Sequence, residues 1–227
     1  MPRTKLENRV LPGYTKGEET FNMVSHIVGG GLGIVVFLSC IIVAAYHQNI
    51  WGIVSGAVYG FTVILLFTMS SIYHGLKACF AKKVFQVLDH CTIFLLIAGT
   101  YTPILLGRFR EVHPFDAWTI FAIIWGLAVI GITLNAIDLK RFSIFSMICY
   151  LGMGWLVVFS VRKMIDVLGR DFFLFILWGG IFYTIGALCY VIGKKNKKKY
   201  VHSIFHIFVD IAALMHCWGI VEYIMPM

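Results

Sequence analysis

Seven stretches of apolar residues alternate with short polar breaks along the chain, at about 22–46, 51–74, 87–107, 117–137, 143–161, 172–193 and 201–224. The breaks are Tyr46–Ile50, Gly75–Gln86, Arg108–Asp116, Asp138–Phe142, Arg162–Asp171 and Lys194–Tyr200. A helix that crosses a bilayer needs roughly 20 predominantly apolar residues, and each stretch is close to that length. Lipid offers no partners to backbone N–H and C=O groups, so such a stretch satisfies its own hydrogen bonds only as a helix. The runs are continuous and rich in Ile, Leu, Phe and Gly. An outer-membrane barrel would instead show strands of about ten residues with alternating polarity. The pattern predicts an all-α integral membrane protein with seven transmembrane helices. Residues 1–20 form a short polar N-terminal segment and 21–227 a single membrane domain, without internal repeats.

Composition sharpens this. Of 227 residues, 59% are hydrophobic and 13% charged, against about 25% charged in a soluble domain. A separate water-surfaced domain is excluded. The net charge of +8 does not point to nucleic acid, because the basic residues flank apolar runs. On one side of the predicted topology lie Arg3, Lys5, Arg9, Lys16, Lys77, Lys82, Lys83, Lys140, Arg141, Lys194, Lys195, Lys197, Lys198 and Lys199, which is 14 of the 19. Arg108, Arg110, Arg162, Lys163 and Arg170, the other 5, lie opposite. Positive charge accumulates on the cytoplasmic side. The expectation is a multi-pass cell-membrane protein with its N-terminus cytoplasmic and its C-terminus outside. The run Lys194–Lys199 either marks topology or touches anionic headgroups. The stretch Met1–Glu19 has no apolar core, so no cleavable signal peptide is expected. Six scattered cysteines without a CxxC pair suggest neither a disulfide framework nor a zinc ribbon.

Ionisable groups inside spans are costly and mark functional sites. Ser70 and His74 end the second span, Asp89 opens the third, and His202 and His206 open the seventh. With the deduced topology all five fall at one depth, just beneath the cytoplasmic surface. His202 and His206 are four residues apart and share a helix face, as do Ser70 and His74. Three imidazoles with an open fourth position describe a catalytic-type zinc site. Asp89 would then either hold the ion's water by a hydrogen bond from behind the ligands or act as a general base, and Ser70 would donate to the water or to an oxyanion.

Plainer readings stand beside this one. Two histidines capping an interfacial helix end would give the same spacing, and a lone SxxxH carries little. His90 points about 100° away from Asp89 around its helix, which suits packing or a backbone hydrogen bond. Glu19, Asn22 and His26 share one face at the mouth of the first span; they could close the site, or the Glu18–Glu19 pair could cap the helix. Asp210 continues the His202/His206 face one turn deeper. His216 and Glu222 sit nearer the other end. The run Gly29–Gly31 suits close helix packing.

The ordered set Glu19-Thr-Phe-Asn22-Met-Val-Ser25-His26, Ser70-Ser-Ile-Tyr-His74, Asp89-His90 and His202-Ser-Ile-Phe-His206 resembles the hemolysin III branch of the progestin and adipoQ receptor family. The likeness spans about residues 17–224, and the small size and minimal loops resemble its bacterial members. It implies zinc held by His74, His202 and His206, with Asp89 and Ser70 around the metal's water. The wider superfamily includes alkaline ceramidases, which hydrolyse a lipid amide with a similar residue set. Asp210 departs from the apolar residue expected there in the receptors. Three functions compete: a zinc-dependent hydrolase of a membrane lipid amide or ester, a cytolytic pore as the family name implies, and a receptor or membrane-homeostasis factor with a structural metal. Spans four to six offer little polar lining beyond Asn135, so a single copy makes a poor pore.

Overall fold

The computed structural model describes residues 4–196 and 198–227. Arg3 and Lys197 of the charge count, like the side chains of residues 194–196, lie outside what it describes. Seven helices are each long and apolar enough to cross a membrane, and no strand occurs among the described residues. They are α1 (Lys16–Tyr46), α2 (Ile50–Gly75), α3 (Phe80–Ile104, continued to Val112 through a π turn), α4 (Pro114–Asp138), α5 (Ser143–Leu168, with a 3-10 turn at Leu156–Ser160), α6 (Arg170–Asn196) and α7 (Val201–Gly219, ending in a π turn at Ile220–Ile224). Odd-numbered helices begin, and even-numbered ones end, at what is here termed the proximal face; the C-terminus lies at the distal face.

Burial separates α3 from the rest. In its most apolar window 78% of residues are buried, against 22% for α1 and 17% for α5. It therefore runs through the middle of the bundle, against α2, α4 and α5, while α1 closes the ring between α2 and α7. The outward faces stay apolar: Ile27, Val28, Ile34, Val35, Leu38 and Ile42 of α1 are all exposed, as a lipid-facing surface requires. Helices approach closely where glycine removes a side chain. A Cβ on Gly60 would lie 2.6 Å from the Phe37 Cα, which seats α1 directly on α2. Gly29 abuts the Phe67 ring in the same way, whereas a Cβ on Gly31 would meet nothing within 4 Å. In the Gly29–Gly31 run only Gly29 is required by packing, since a Cβ on Gly30 would meet the Phe67 Cβ at an ordinary 3.7 Å.

Where helices break inside the bundle, neighbours satisfy the backbone. Tyr101 of α3 accepts from the Val157 N–H at 2.9 Å and donates to the Gly154 carbonyl at 3.2 Å, across the 3-10 turn of α5. Without such partners those groups would be unpaired in apolar surroundings.

Two boundaries differ from those that hydropathy suggests. The helix α1 starts at Lys16 because Thr15 and Glu18 form a reciprocal capping box. The helix α3 starts at Phe80, and its first two turns carry Lys82, Lys83 and Gln86. These polar residues depress the local hydropathy, but Lys82 and Gln86 are buried inside the bundle. Lys82 is thus not a loop lysine marking topology.

The segment before α1 lies across the proximal face. The Thr4 N–H donates to Asp138 Oδ2 at 2.7 Å, Arg9 donates to the Ile137 carbonyl at 3.4 Å, and Lys83 donates to the Glu7 carbonyl. Glu18 reaches the opposite side, accepting from the Tyr200 N–H at 2.7 Å.

Candidate metal centre

His74 sits in the last turn of α2 and is 2% exposed. His202 and His206 occupy the first two turns of α7. The helix α1 packs against both α2 and α7, and at the proximal face one ring nitrogen from each of the three histidines lies within 4.8 Å of the others. His202 Nε2 and His206 Nε2 are 3.1 Å apart. Two nitrogens on one tetrahedral zinc, at about 2.0–2.1 Å from it, lie roughly 3.3 Å from each other.

The donor chemistry fits a cation. His74 Nδ1 is 2.6 Å from Glu19 Oε2, so the carboxylate takes that N–H and leaves the Nε2 lone pair free. His74 Nε2 is buried and has no hydrogen-bond partner among the described residues. A proton shared between His202 and His206 would explain their approach but not this third nitrogen; a cation accounts for all three. A carboxylate behind a ligating imidazole, fixing its tautomer, is the usual arrangement at metal sites. Glu19 is itself held by Lys82, whose Nζ lies 2.8 Å from Oε1 and also donates to the Leu76 carbonyl at 2.9 Å.

The other residues singled out in the sequence fall in distinct places. Ser70 is buried, one turn before His74 on the same face of α2. Asp89 of α3 stands outside the tight group of three imidazoles; its Oδ2 is 3.7 Å from His90 Nδ1. His90 donates instead to the Gln86 carbonyl at 2.9 Å, the backbone bond expected of it. Asn22 and His26 are buried on α1, and the His26 ring stacks on His206 with centroids 3.8 Å apart. Asp210 lies beside His26. Glu18 and Glu19 divide the two roles that their sequence position left open: Glu18 caps α1 and Glu19 reaches His74. His216 is remote, donating to the Ile176 carbonyl at 3.1 Å.

Three aromatic residues complete the surroundings: Tyr73, inside the Ser70–His74 motif, and Tyr14 and Tyr190, which no motif marks. The Tyr14 ring stacks on His202, with centroids 4.9 Å apart and planes at 11°. Tyr73 packs on His74 and Tyr190 on His202. Burial pushes the Tyr14 phenol well above the usual tyrosine range, aided by the Tyr73 and Tyr190 phenols and by the Glu19 and Asp89 carboxylates. Tyr14 is therefore a neutral O–H over the site, and Asp89 lies within electrostatic reach of it. The only sequence signal was position, immediately before the capping box.

Fold and site together define a seven-helix membrane protein with three clustered imidazoles, two buried and one half-buried, fit to hold a metal, at one end of its bundle. The family profile described as Haemolysin-III related matches residues 14–217. The chain belongs to that family. It is 36% identical to "Hemolysin-3" of Bacillus cereus over 92% of this chain and 93% of that one. It is 35% identical to the "Hemolysin-3 homolog" of Bacillus subtilis (strain 168) over 90% and 94%. A more distant relative is the "Adiponectin receptor protein" of Drosophila melanogaster, 28% identical over 91% of this chain and 51% of the receptor. A membrane location follows from the seven spans and from the family.

Proposed function

We propose that the protein is a zinc-dependent intramembrane hydrolase that acts on a lipid amide or ester near the cytoplasmic face. The observation that carries this reading is the convergence of one ring nitrogen each from His74, His202 and His206 within 4.8 Å, with His74 and His206 buried and Glu19 behind His74. The excess of Lys and Arg on the proximal side supports placing that face in the cytosol.

His74, His202 and His206 would hold the ion, with Glu19 fixing the His74 tautomer. When bound, zinc supplies a Lewis acid that polarises a carbonyl and acidifies water. Asp89, within electrostatic reach of Tyr14 over the imidazoles, would take a proton from the attacking water and return it to the leaving amine or alkoxide as the acyl bond breaks. The Ser70 hydroxyl, one turn from His74, would donate to the carbonyl oxygen as it gains charge. Tyr14, Tyr73 and Tyr190 surround the imidazoles with aromatic rings and limit the approach of bulk water.

Purified protein with zinc retained is expected to release fatty acid from a panel of amide- and ester-linked membrane lipids. Asp89→Asn should abolish release while zinc content is unchanged. Normal metal with no turnover on any of these lipids would count against hydrolysis. The names of the Bacillus relatives favour a second reading, cytolysis. Leakage from dye-loaded liposomes that persists in His202→Ala would support it over the first.

A further inference from the structure

A second group of polar side chains lies between α1 and α7, beside and beyond the three imidazoles. Asn22 and His26 are four residues apart on one face of α1, and Asp210 is four residues beyond His206 on α7. Asn22 is fully buried and His26 is 3% exposed. The Asn22 Oδ1 and Nδ2, both ring nitrogens of His26 and Asp210 Oδ1 have no hydrogen-bond partner among the described residues. Buried polar groups are normally paired, and five unpaired atoms along one seam call for an explanation.

Their chemistry narrows the choice. His26 Nε2 is 4.0 Å from Asp210 Oδ1, beyond a hydrogen bond. Two ligands of one tetrahedral ion, each about 2.1 Å from it, lie roughly 3.4 Å apart, so a bridging ion needs less movement than a direct contact. The carboxylate repels anions. An imidazole nitrogen beside carboxylate and amide oxygens suits a borderline transition metal better than magnesium or calcium, which take oxygen ligands. We propose that His26, Asp210 and the Asn22 Oδ1 form a second cation site, for a divalent ion of zinc's class, adjoining the three-histidine group. His26 stacks on His206, so the two ions would be neighbours, as in two-metal hydrolytic sites. Glu19 behind the first ion and Asp210 on the second each contribute a negative charge that offsets their repulsion. This goes beyond the hydrolase reading, and needs no lipid cleavage to be true.

The test is zinc stoichiometry. Full-length protein in detergent is dialysed against zinc chloride, then against metal-free buffer, and zinc per chain is measured by elemental analysis. Wild type is expected to hold two, falling to one in Asp210→Asn, in His26→Ala and in His74→Ala. One zinc in wild type and in Asp210→Asn, with none in His74→Ala, overturns the second site and leaves the first standing. One zinc in wild type and in His74→Ala, with none in Asp210→Asn, supports the second site alone. No zinc in wild type overturns both, and two that persist in Asp210→Asn and His26→Ala place the extra ion elsewhere. Should Asp210→Asn lose both ions, Asp210→Glu, which keeps the carboxylate, is expected to restore two. Failure to do so makes Asp210 a support of the first site only and overturns the assignment.

Discussion

Glu19 of α1 holds the His74 ring of α2 through a 2.6 Å contact from Oε2 to Nδ1, and Lys82 of α3 holds Glu19 from its other oxygen at 2.8 Å. Three helices thus fix the orientation of one imidazole. The outer partners of ligating histidines typically contribute about 10–100-fold in metal affinity.

Glu19→Ala is therefore expected to weaken zinc binding by about that factor while the protein remains folded, as measured by competition with a calibrated chelator. Glu19→Gln keeps an acceptor oxygen for the His74 N–H and should lose less. Equal affinity in wild type and Glu19→Ala would mean that His74 is oriented without the carboxylate.

The seven spans were legible because membrane helices declare themselves through uninterrupted apolar length. The ligand pairs were legible because i, i+4 spacing is a property of the helix alone. What hydropathy hid was the polar start of α3. Lys82 and Gln86 look like loop residues because their burial depends on partners from other helices, Glu19 for the lysine and Tyr73 for the glutamine. Tyr14 was hidden for a related reason: its place over His202 depends on the path of the preceding segment, which Thr4 and Arg9 anchor to the end of α4. No local sequence pattern encodes such a long-range tie.

Metal removal should lower stability, since an ion that binds the folded protein alone stabilises it by about 2.7 kcal/mol at 100 times its Kd. The apparent Tm in detergent is expected to rise with added zinc and fall with chelator. In the His74, His202 and His206 triple alanine variant the fall on chelation should shrink, any remainder being due to an ion held by His26 and Asp210. A Tm indifferent to zinc in the wild type would sink the metal assignment.

Gly60 tests the packing of α1 on α2 separately from the site. A Cβ there would stand 2.6 Å from the Phe37 Cα and 2.7 Å from its Cβ, and backbone cannot swing aside as a side-chain tip can. Gly60→Leu should force the helices apart and destabilise by about 1–3 kcal/mol, the usual range for overpacking. Thermal unfolding reads this directly. Gly31→Leu, at a position open to the outside, is expected to change stability little.

Tyr14 governs approach to the imidazoles from the proximal face. Its ring lies 4.9 Å from His202 and 5.9 Å from His74, centroid to centroid, and the segment that carries it is tied down on both sides of the bundle. An aromatic pair contributes about 0.5–1.5 kcal/mol beyond its buried area, so Tyr14→Ala should open this path more often. Zinc stripping by EDTA is expected to accelerate about two- to tenfold on that basis, at unchanged zinc stoichiometry before chelation. Tyr14→Phe retains the ring and should strip at the wild-type rate, which separates the stacked ring from the phenol. If Tyr14→Ala also strips at the wild-type rate, the chelator reaches the metal by another route, and the segment across the proximal face is no barrier to it.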